Sequence, residues 1–403
     1  MNKIILPLLL SACVFIFFSC EGQNENSSIV VVGGPFENRE WTYDGMPDVT
    51  NATDTSACWK QEGPKLLLTG TVYHADGRTP ATGVLLYYYH TNTEGRYVHK
   101  AEVPGSMAPN HLGQTHGYIR GWVKTDQNGR YSIYTVRPGV YPTRDEPAHV
   151  HVTVKEPNEI SEYYLDSFVF DDDELLTSKE RNKLSNRGGS GVVRLVEQDG
   201  LLIGERDIIL GLNIPDYPDK KISVRHSGKA IGEDVSSFMP FHAWGPDRGT
   251  RTCPVCKYGW YHGVLYFVGN QPHWTDIKQW LQFLEAESKV REKYLKVYFI
   301  YGNEENYEKS RREEELADVG RELGLKYVAL TFVPSFRDSE SEINLIRIDP
   351  DAQNTFLIYK RSRVIASFVN LKAGEESFQE VRRTLDESIN DYFKFAKPDF
   401  RKQ

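Results

Sequence analysis

Two histidines in alternation, two tyrosines upstream of them and a Cys-x-x-Cys pair are the residues of this chain whose types and spacing could do chemistry. His149 and His151 flank Val150, so on a strand both imidazoles point to one face. Side by side they need a shared partner, and a metal ion is the simplest one. Tyr97 follows a glycine turn in Gly95-Arg96-Tyr97, and Tyr141 sits in Arg137-Pro138-Gly139-Val140-Tyr141-Pro142, where proline and glycine hold the backbone locally. Tyrosinate is a hard, strongly donating oxygen ligand suited to ferric iron, and a trivalent ion holds it deprotonated far below its free pKa. The competing reading makes both tyrosines packing residues at strand ends. Cys253-Pro254-Val255-Cys256 has the spacing of a redox disulfide, of a structural disulfide or of half a zinc site; for zinc only His262 is close in sequence.

The N-terminus reads as a targeting segment. Lys3 precedes an almost unbroken apolar run over 4–18, then come Ser19 and Cys20. The segment resembles a bacterial lipoprotein signal, with Cys20 as the lipidated residue and the protein exported and anchored to a membrane. With Cys13 and Cys20 assigned to the signal, Cys58, Cys253 and Cys256 remain; a Cys253–Cys256 pair with Cys58 buried or free is expected. At 403 residues the chain is too long for one ordinary core, and a net charge of −8 argues against nucleic acid as a partner.

The segment 21–62 is polar and rich in Asn, Ser and Thr, and reads as a tether. Short runs bounded by turn residues follow at 66–72, 83–90, 117–124, 130–136, 149–154, 164–170, 192–197 and 207–212, with a helical turn within 173–183. Many short strands with little helical periodicity predict an all-β sandwich over 63–220. A Pro/Gly-rich linker is expected over 221–248. Over 249–396 strand and helix patterns alternate: strands at 263–268, 295–301, 327–333, 355–359 and 364–369, helices at 275–289, 311–323 and 378–393. That β-α-β-α-β-β-α order is similar to the thioredoxin-like α/β arrangement. The fold class is thus an all-β sandwich followed by an α/β thioredoxin-like domain.

The segment 66–154 resembles the intradiol ring-cleavage dioxygenases, relatives of catechol and protocatechuate dioxygenases. The likeness rests on Gly95-Arg96-Tyr97, on Arg120-Gly121 with Thr125-Asp126 and Gly129-Arg130-Tyr131, on Pro138-Gly139-Val140-Tyr141-Pro142 and on Pro147-Ala148-His149-Val150-His151. The resemblance implies one non-haem Fe(III) held by Tyr97, Tyr141, His149 and His151, with Tyr141 and His151 axial. It implies a small aromatic diol and O2 as substrates and a muconate-type diacid as product, Tyr141 leaving the metal to act as a base. Family members carry an arginine two residues before the alanine of the His-x-His motif; here that position is Glu146. Arg144 is expected to place its guanidinium in the same space. His90, His99, His111 and His116 read as solvated loop residues, the last two near the mouth of the site. The alternative is a cell-surface binding module with a thioredoxin-like thiol–disulfide domain and no ring cleavage. Either reading is compatible with a homo-oligomer.

Overall fold

The structure, a computed structural model, describes residues 29–218, 227–291 and 294–389. The expected signal segment, Cys20 and the boundary near Lys220 lie outside these residues. Among the described residues no helix is long and apolar enough to cross a membrane.

The first half consists of β1 (Thr53–Thr55), β2 (Lys65–Tyr73), β3 (Leu85–Tyr89), β4 (Arg120–Lys124), β5 (Arg130–Val136), β6 (His149–Lys155), β7 (Tyr163–Tyr164), β8 (Phe168–Phe170), α1 (Ser178–Lys183), β9 (Val192–Val193), β10 (Leu195–Gln198), β11 (Leu201–Glu205) and β12 (Ile208–Ile209). They form two sheets. One has the order β1-β5-β2-β11-β10 with β12 on β2; the other is β4-β3-β6-β8-β9 with β7 on β6. Burial alternates along β2, and its inward Leu66, Leu68 and Val72 meet Leu86 and Tyr88 of β3 and Val150, Val152 and Val154 of β6. This shared core makes the pair a sandwich.

The period of two decides what the opposite face of the second sheet carries. With Leu86 and Tyr88 committed to the core, Tyr87 and Tyr89 emerge on the outer side of β3. With the three valines of β6 committed, His149 and His151 emerge there too. The antiparallel register sets Tyr89 opposite His151. The histidine face is therefore the floor of a site and not part of the core.

The expected tether over 21–62 is corrected by the structure for its described part, 29–62, which packs on the sandwich. Val30 bridges to Ile160, Val32 enters the core, and β1 pairs in parallel with β5. Phe36 stacks on Tyr164 at 4.2 Å, and Arg39 pairs with Glu162 at 2.9 Å. A short 3-10 turn over Arg39–Thr42 is pinned from below by two side chains of β4. The Arg120 Nη2 donates to the carbonyls of Trp41 (2.8 Å) and Asp44 (2.7 Å), and the Trp122 Nε1 donates to that of Thr42 (2.6 Å). Single anchoring side chains without periodicity leave no hydrophobic pattern in the sequence, so the segment reads as polar linker.

The second half contains β13 (Phe241–Trp244), α2 (Pro254–Tyr258), β14 (His262–Val268), α3 (Trp274–Val290), β15 (Leu295–Tyr301), α4 (Lys309–Glu322), β16 (Val328–Phe332), β17 (Thr355–Lys360), β18 (Arg363–Val369) and α5 (Glu375–Glu387). They build one sheet of order β13-β16-β15-β14-β17-β18, with β14, β15 and β16 parallel to their neighbours in that trio. Every residue of β14 is buried, as a central strand covered on both faces requires. Val264, Tyr266 and Val268 face one core, Leu265 and Phe267 the other. The expected linker over 221–248 is corrected for its described part: β13 belongs to the sheet, and Val235 and Phe238 are buried beneath it. The Cys-x-x-Cys pair lies between β13 and β14, where Cys253 caps α2.

The two halves are in contact. The Arg194 Nη1 donates to the Arg361 carbonyl at 2.6 Å, Glu205 pairs with Arg361 at 2.7 Å, and Trp260 packs on Val196.

Candidate metal centre

Three pieces of backbone meet over the outer face of β3 and β6. His149 and His151 come from β6, Tyr97 from the turn that follows β3, and Tyr141 from the turn that follows β5. The four polar tips converge. Tyr97 Oη lies 3.1 Å from Tyr141 Oη, and Tyr141 Oη lies 3.1 Å from His149 Nε2 and 3.5 Å from His151 Nε2. The two Nε2 atoms are 3.1 Å apart.

Proton bookkeeping shows what such a cluster wants at its centre. His149 Nδ1 is 2.8 Å from the Pro147 carbonyl, which accepts and so fixes the proton on Nδ1, leaving Nε2 with an outward lone pair. His151 Nδ1 is held by the Ser167 hydroxyl at 3.2 Å. Four heavy atoms face one another there, two phenolic oxygens and two mutually opposed imidazole nitrogens, crowded to 3.1–3.5 Å. A cation among them satisfies all four at once. The donor set, two imidazoles and two phenols, suits a hard, highly charged transition metal, and each histidine has the outer hydrogen bond typical of metal-bound imidazole. Among the described residues no group of three or more His, Cys, Asp or Glu side chains is assembled for a metal; half of this set is tyrosine.

Burial acts on the same atoms. It raises the Tyr97 hydroxyl far above the usual phenol range, reinforced by Tyr141, and it raises Tyr141, opposed by the Tyr97 hydrogen bond and helped by Glu146 and Asp145. It also holds His151 well below the usual imidazole value, with His149 adding to the effect. Without a cation the phenols keep their protons and the His151 ring stays neutral.

An open cleft of about 680 Å³ leads to the cluster. Tyr97, Tyr141 and His151 line it, whereas His149 sits behind them. Its walls add Glu37, Asn38 and Trp41 from the N-terminal segment, together with Tyr89 and His116. His116 stacks on Tyr89 at 3.5 Å and receives the edge of Trp41 at 4.9 Å, while the Tyr87 hydroxyl is 2.7 Å from its Nδ1. Burial, with Arg120 nearby, pushes His116 down to about 3. The reading of the flanking histidines as solvated therefore holds for exposed His99 and His111. It fails for His90, which is buried between the Thr91 carbonyl and the Thr135 hydroxyl, and for His116, which is part of the cleft wall.

Arg144 is not where it was expected. It is exposed, adopts a left-handed backbone (φ 51°) in a turn closed by its N–H on the Tyr141 carbonyl, and lines no part of the cleft. Glu146 is likewise exposed. The arginine that lines the cleft is Arg96, exposed and with no side-chain hydrogen bond to a described residue. Arg96 was quoted within its motif but not singled out. Ser167, Tyr89 and Trp41 were missed, since nothing near them in sequence marks them. The Cys253–Cys256 pair is joined as a disulfide, and Cys58 is free and buried against Ser56 and Thr135.

A sandwich carrying a two-tyrosine, two-histidine cluster on an outer face defines the class of site, and comparison with known proteins bears on it directly. Residues 45–181, which contain all four side chains, match the family model described as Dioxygenase. Over 98 residues the chain is 33% identical to the protocatechuate 3,4-dioxygenase beta chain of Burkholderia cepacia, covering 23% of this chain and 39% of that one. Over 108 residues it is 31% identical to the catechol 1,2-dioxygenase of Acinetobacter baylyi, covering 23% and 32%. Among solved structures, the dioxygenase domain of a carbohydrate-binding fusion protein from the cellulolytic bacterium Streptomyces sp. SirexAA-E aligns at 20% identity over 44% of this chain and 93% of that one, with a TM-score of 0.30. The intradiol dioxygenase family is the one these sequence matches support. The chain spans well under half the length of either curated relative.

Proposed function

We propose that the sandwich cleaves a catechol-type aromatic between its two hydroxyl-bearing carbons, using O2 and one non-haem Fe(III) held by Tyr97, Tyr141, His149 and His151, and releases a muconate-type diacid. The observation that carries this reading is the convergence of four donor atoms, each within 3.5 Å of Tyr141 Oη or of each other, at the end of an open cleft. Ferric iron, when bound, supplies the charge that favours a doubly deprotonated catechol and the electronic coupling through which O2 adds to the ring.

The chain's own residues do the rest. Tyr141 lines the cleft, so its Oη, which would lose its proton only with the cation bound, is placed to take a substrate proton, with Tyr97 Oη 3.1 Å away. His149 is locked in one tautomer by the Pro147 carbonyl. Tyr89, His116 and Trp41 offer a flat aromatic ring face and keep water from one side of the cleft. Arg96 supplies the cation near the reacting ring, in place of an arginine at position 146.

Ser167→Ala should weaken iron affinity by roughly 10–100-fold while leaving the colour of the iron-saturated protein intact, because it removes only the outer partner of His151. Titration with a competing chelator measures this, and an unchanged affinity would mean that the hydroxyl does not orient the ring. Arg96→Met should lower kcat/KM by roughly 10–100-fold, the size of a lost charge-assisted hydrogen bond of about 1.5–3 kcal/mol, with iron content unchanged. The reading as a whole is tested by oxygen uptake against a panel of catechols with iron-loaded full-length protein. A colourless protein that cannot be reconstituted with Fe(III) would favour the binding module without ring cleavage.

We read the β13–β18 sheet and its helices as a thioredoxin-like α/β unit, from parallel β14–β15 and antiparallel β14–β17 and β17–β18 pairing at its heart. The stretch between β14 and α3, 269–273, holds no cysteine. Any chemistry at Cys253–Cys256 must therefore come from that pair's own surroundings.

A further inference from the structure

Those surroundings form a second cavity, of about 400 Å³, between the sandwich and the α/β sheet. Such a volume between two folded units is ordinary for a small-molecule site. The disulfide meets it asymmetrically: Cys253 is buried and caps α2, while Cys256 is exposed and lines the cavity. An incoming nucleophile can therefore reach the sulfur of Cys256. The Cys256 N–H donates to Cys253 Sγ at 3.0 Å, which stabilises Cys253 as the leaving thiolate.

The rest of the lining is polar and incompletely satisfied. On the sandwich side Asp171 Oδ1 and Asn186 Oδ1 are buried without a hydrogen-bond partner among the described residues, while the other Asp171 oxygen pairs with Arg194 at 3.5 Å. Beside them stands Arg181, bonded through one Nη2 to the Asp171 carbonyl at 3.3 Å. On the opposite side Lys229 lines the cavity, half-buried, with the carboxylates of Glu233 and Asp234 and the guanidinium of Arg347 near enough to act on its charge. Buried polar groups are normally paired, so two unsatisfied acceptor atoms in a cavity whose lining also carries Arg181 and Lys229 suit a ligand that brings both donors and an anion.

We propose that this cavity binds a small zwitterionic thiol, an amino-acid or short-peptide thiol, with its ammonium on Asp171 and Asn186 and its carboxylate on Lys229 and Arg181, and that the Cys253–Cys256 disulfide exchanges with it. The ligand thiolate attacks Cys256 Sγ, a ligand–Cys256 disulfide forms, and Cys253 leaves as a thiolate that takes up a proton. A second ligand thiolate attacks the ligand sulfur of that mixed disulfide and releases Cys256 as a thiolate. Two thiols are oxidised to one disulfide, and the protein disulfide is reduced to a dithiol; the sequence runs in either direction. None of this depends on ring cleavage at the other site.

The test uses full-length protein and two probes, glutathione as the zwitterionic thiol and 2-mercaptoethanol as the neutral one. Cys253→Ser, which keeps a good helix cap, should accumulate one glutathionyl group on Cys256 with oxidised glutathione, mapped by peptide mass spectrometry. In the unmutated protein reduced glutathione should open the disulfide under native conditions. Lys229→Ala should slow that opening by about tenfold or more with glutathione, as expected for a lost charged contact, and leave the rate with 2-mercaptoethanol unchanged. A purely structural disulfide would resist both thiols until the protein unfolds, and that result overturns the proposal. Equal slowing with both probes would remove the zwitterion site, and an adduct mapped elsewhere than Cys256 would remove the attack geometry. Because the rate comparison needs only the intact disulfide, it decides the matter even if Cys253→Ser fails to fold.

Discussion

His151→Ala is expected to abolish stoichiometric iron binding and with it the red tyrosinate-to-iron colour and ring cleavage. The Nε2 of His151 is 3.1 Å from that of His149 and 3.5 Å from Tyr141 Oη, so its removal opens one side of the donor cluster. The loss should exceed the roughly 10–100-fold that follows removal of an outer hydrogen-bond partner, because a direct donor is gone. The fold should survive: the ring stands on the outer face of β6, and what it loses in packing is chiefly its stack on Tyr89 at 4.5 Å. An alanine there should cost on the order of 1 kcal/mol of stability. His99→Ala, an exposed histidine bonded to Ser106, is the control and should keep both metal and colour. Metal analysis of the purified variants decides the issue. Full iron content in the His151 variant would show that the imidazole is a packing residue.

Gly95→Ala should be as damaging to the site by a different route. Gly95 has φ +75°, and a Cβ on it would stand 1.8 Å from the Val140 carbonyl oxygen, 2.6 Å from its carbon and 3.2 Å from the Cα of Tyr141. All three are backbone atoms, so no side chain can rotate out of the way. The approach is reciprocal, since a Cβ on Gly139 would lie 2.3 Å from the Thr93 oxygen. Two glycines thus let the Tyr97 turn and the Tyr141 turn interlock, and this brings the two phenols to 3.1 Å. Left-handed strain of about 1–3 kcal/mol and overpacking of about 1–3 kcal/mol add here, a large part of the 5–15 kcal/mol that holds a typical domain. Denaturant unfolding should report a loss of at least about 3 kcal/mol, together with loss of iron. Gly113→Ala separates the two causes, because Gly113 has φ +77° with nothing within 4 Å of its Cβ position; it should show the strain alone and keep its metal. Equal behaviour of the two variants would mean that the turns do not depend on their close approach.

Much of this protein was legible before any coordinates. Strands and candidate donor residues were readable because their signals are local: alternation along β2 and β6, turn residues around Tyr97 and Tyr141, and the two-residue spacing that puts His149 and His151 on one face whatever the strand packs against. The pairing of Cys253 with Cys256 follows the same logic, since three residues of separation keep the two sulfurs close. The tertiary structure alone decided which face of β6 is the core, because only the opposing sheet tells valine from histidine as the inward side. It also decided that residues 29–62 are wall and not tether, because Arg120 and Trp122 reach that segment from about eighty positions away in the chain. The missing arginine was a question of direction, and sequence carries no direction for a loop. Proximity to the motif pointed to Arg144, but it is exposed in a left-handed turn and does not line the cleft, while Arg96, next to Tyr97 in sequence, does. Residue types and short spacings are properties of the chain; which side chains share a cavity depends on contacts that close only when distant segments pack.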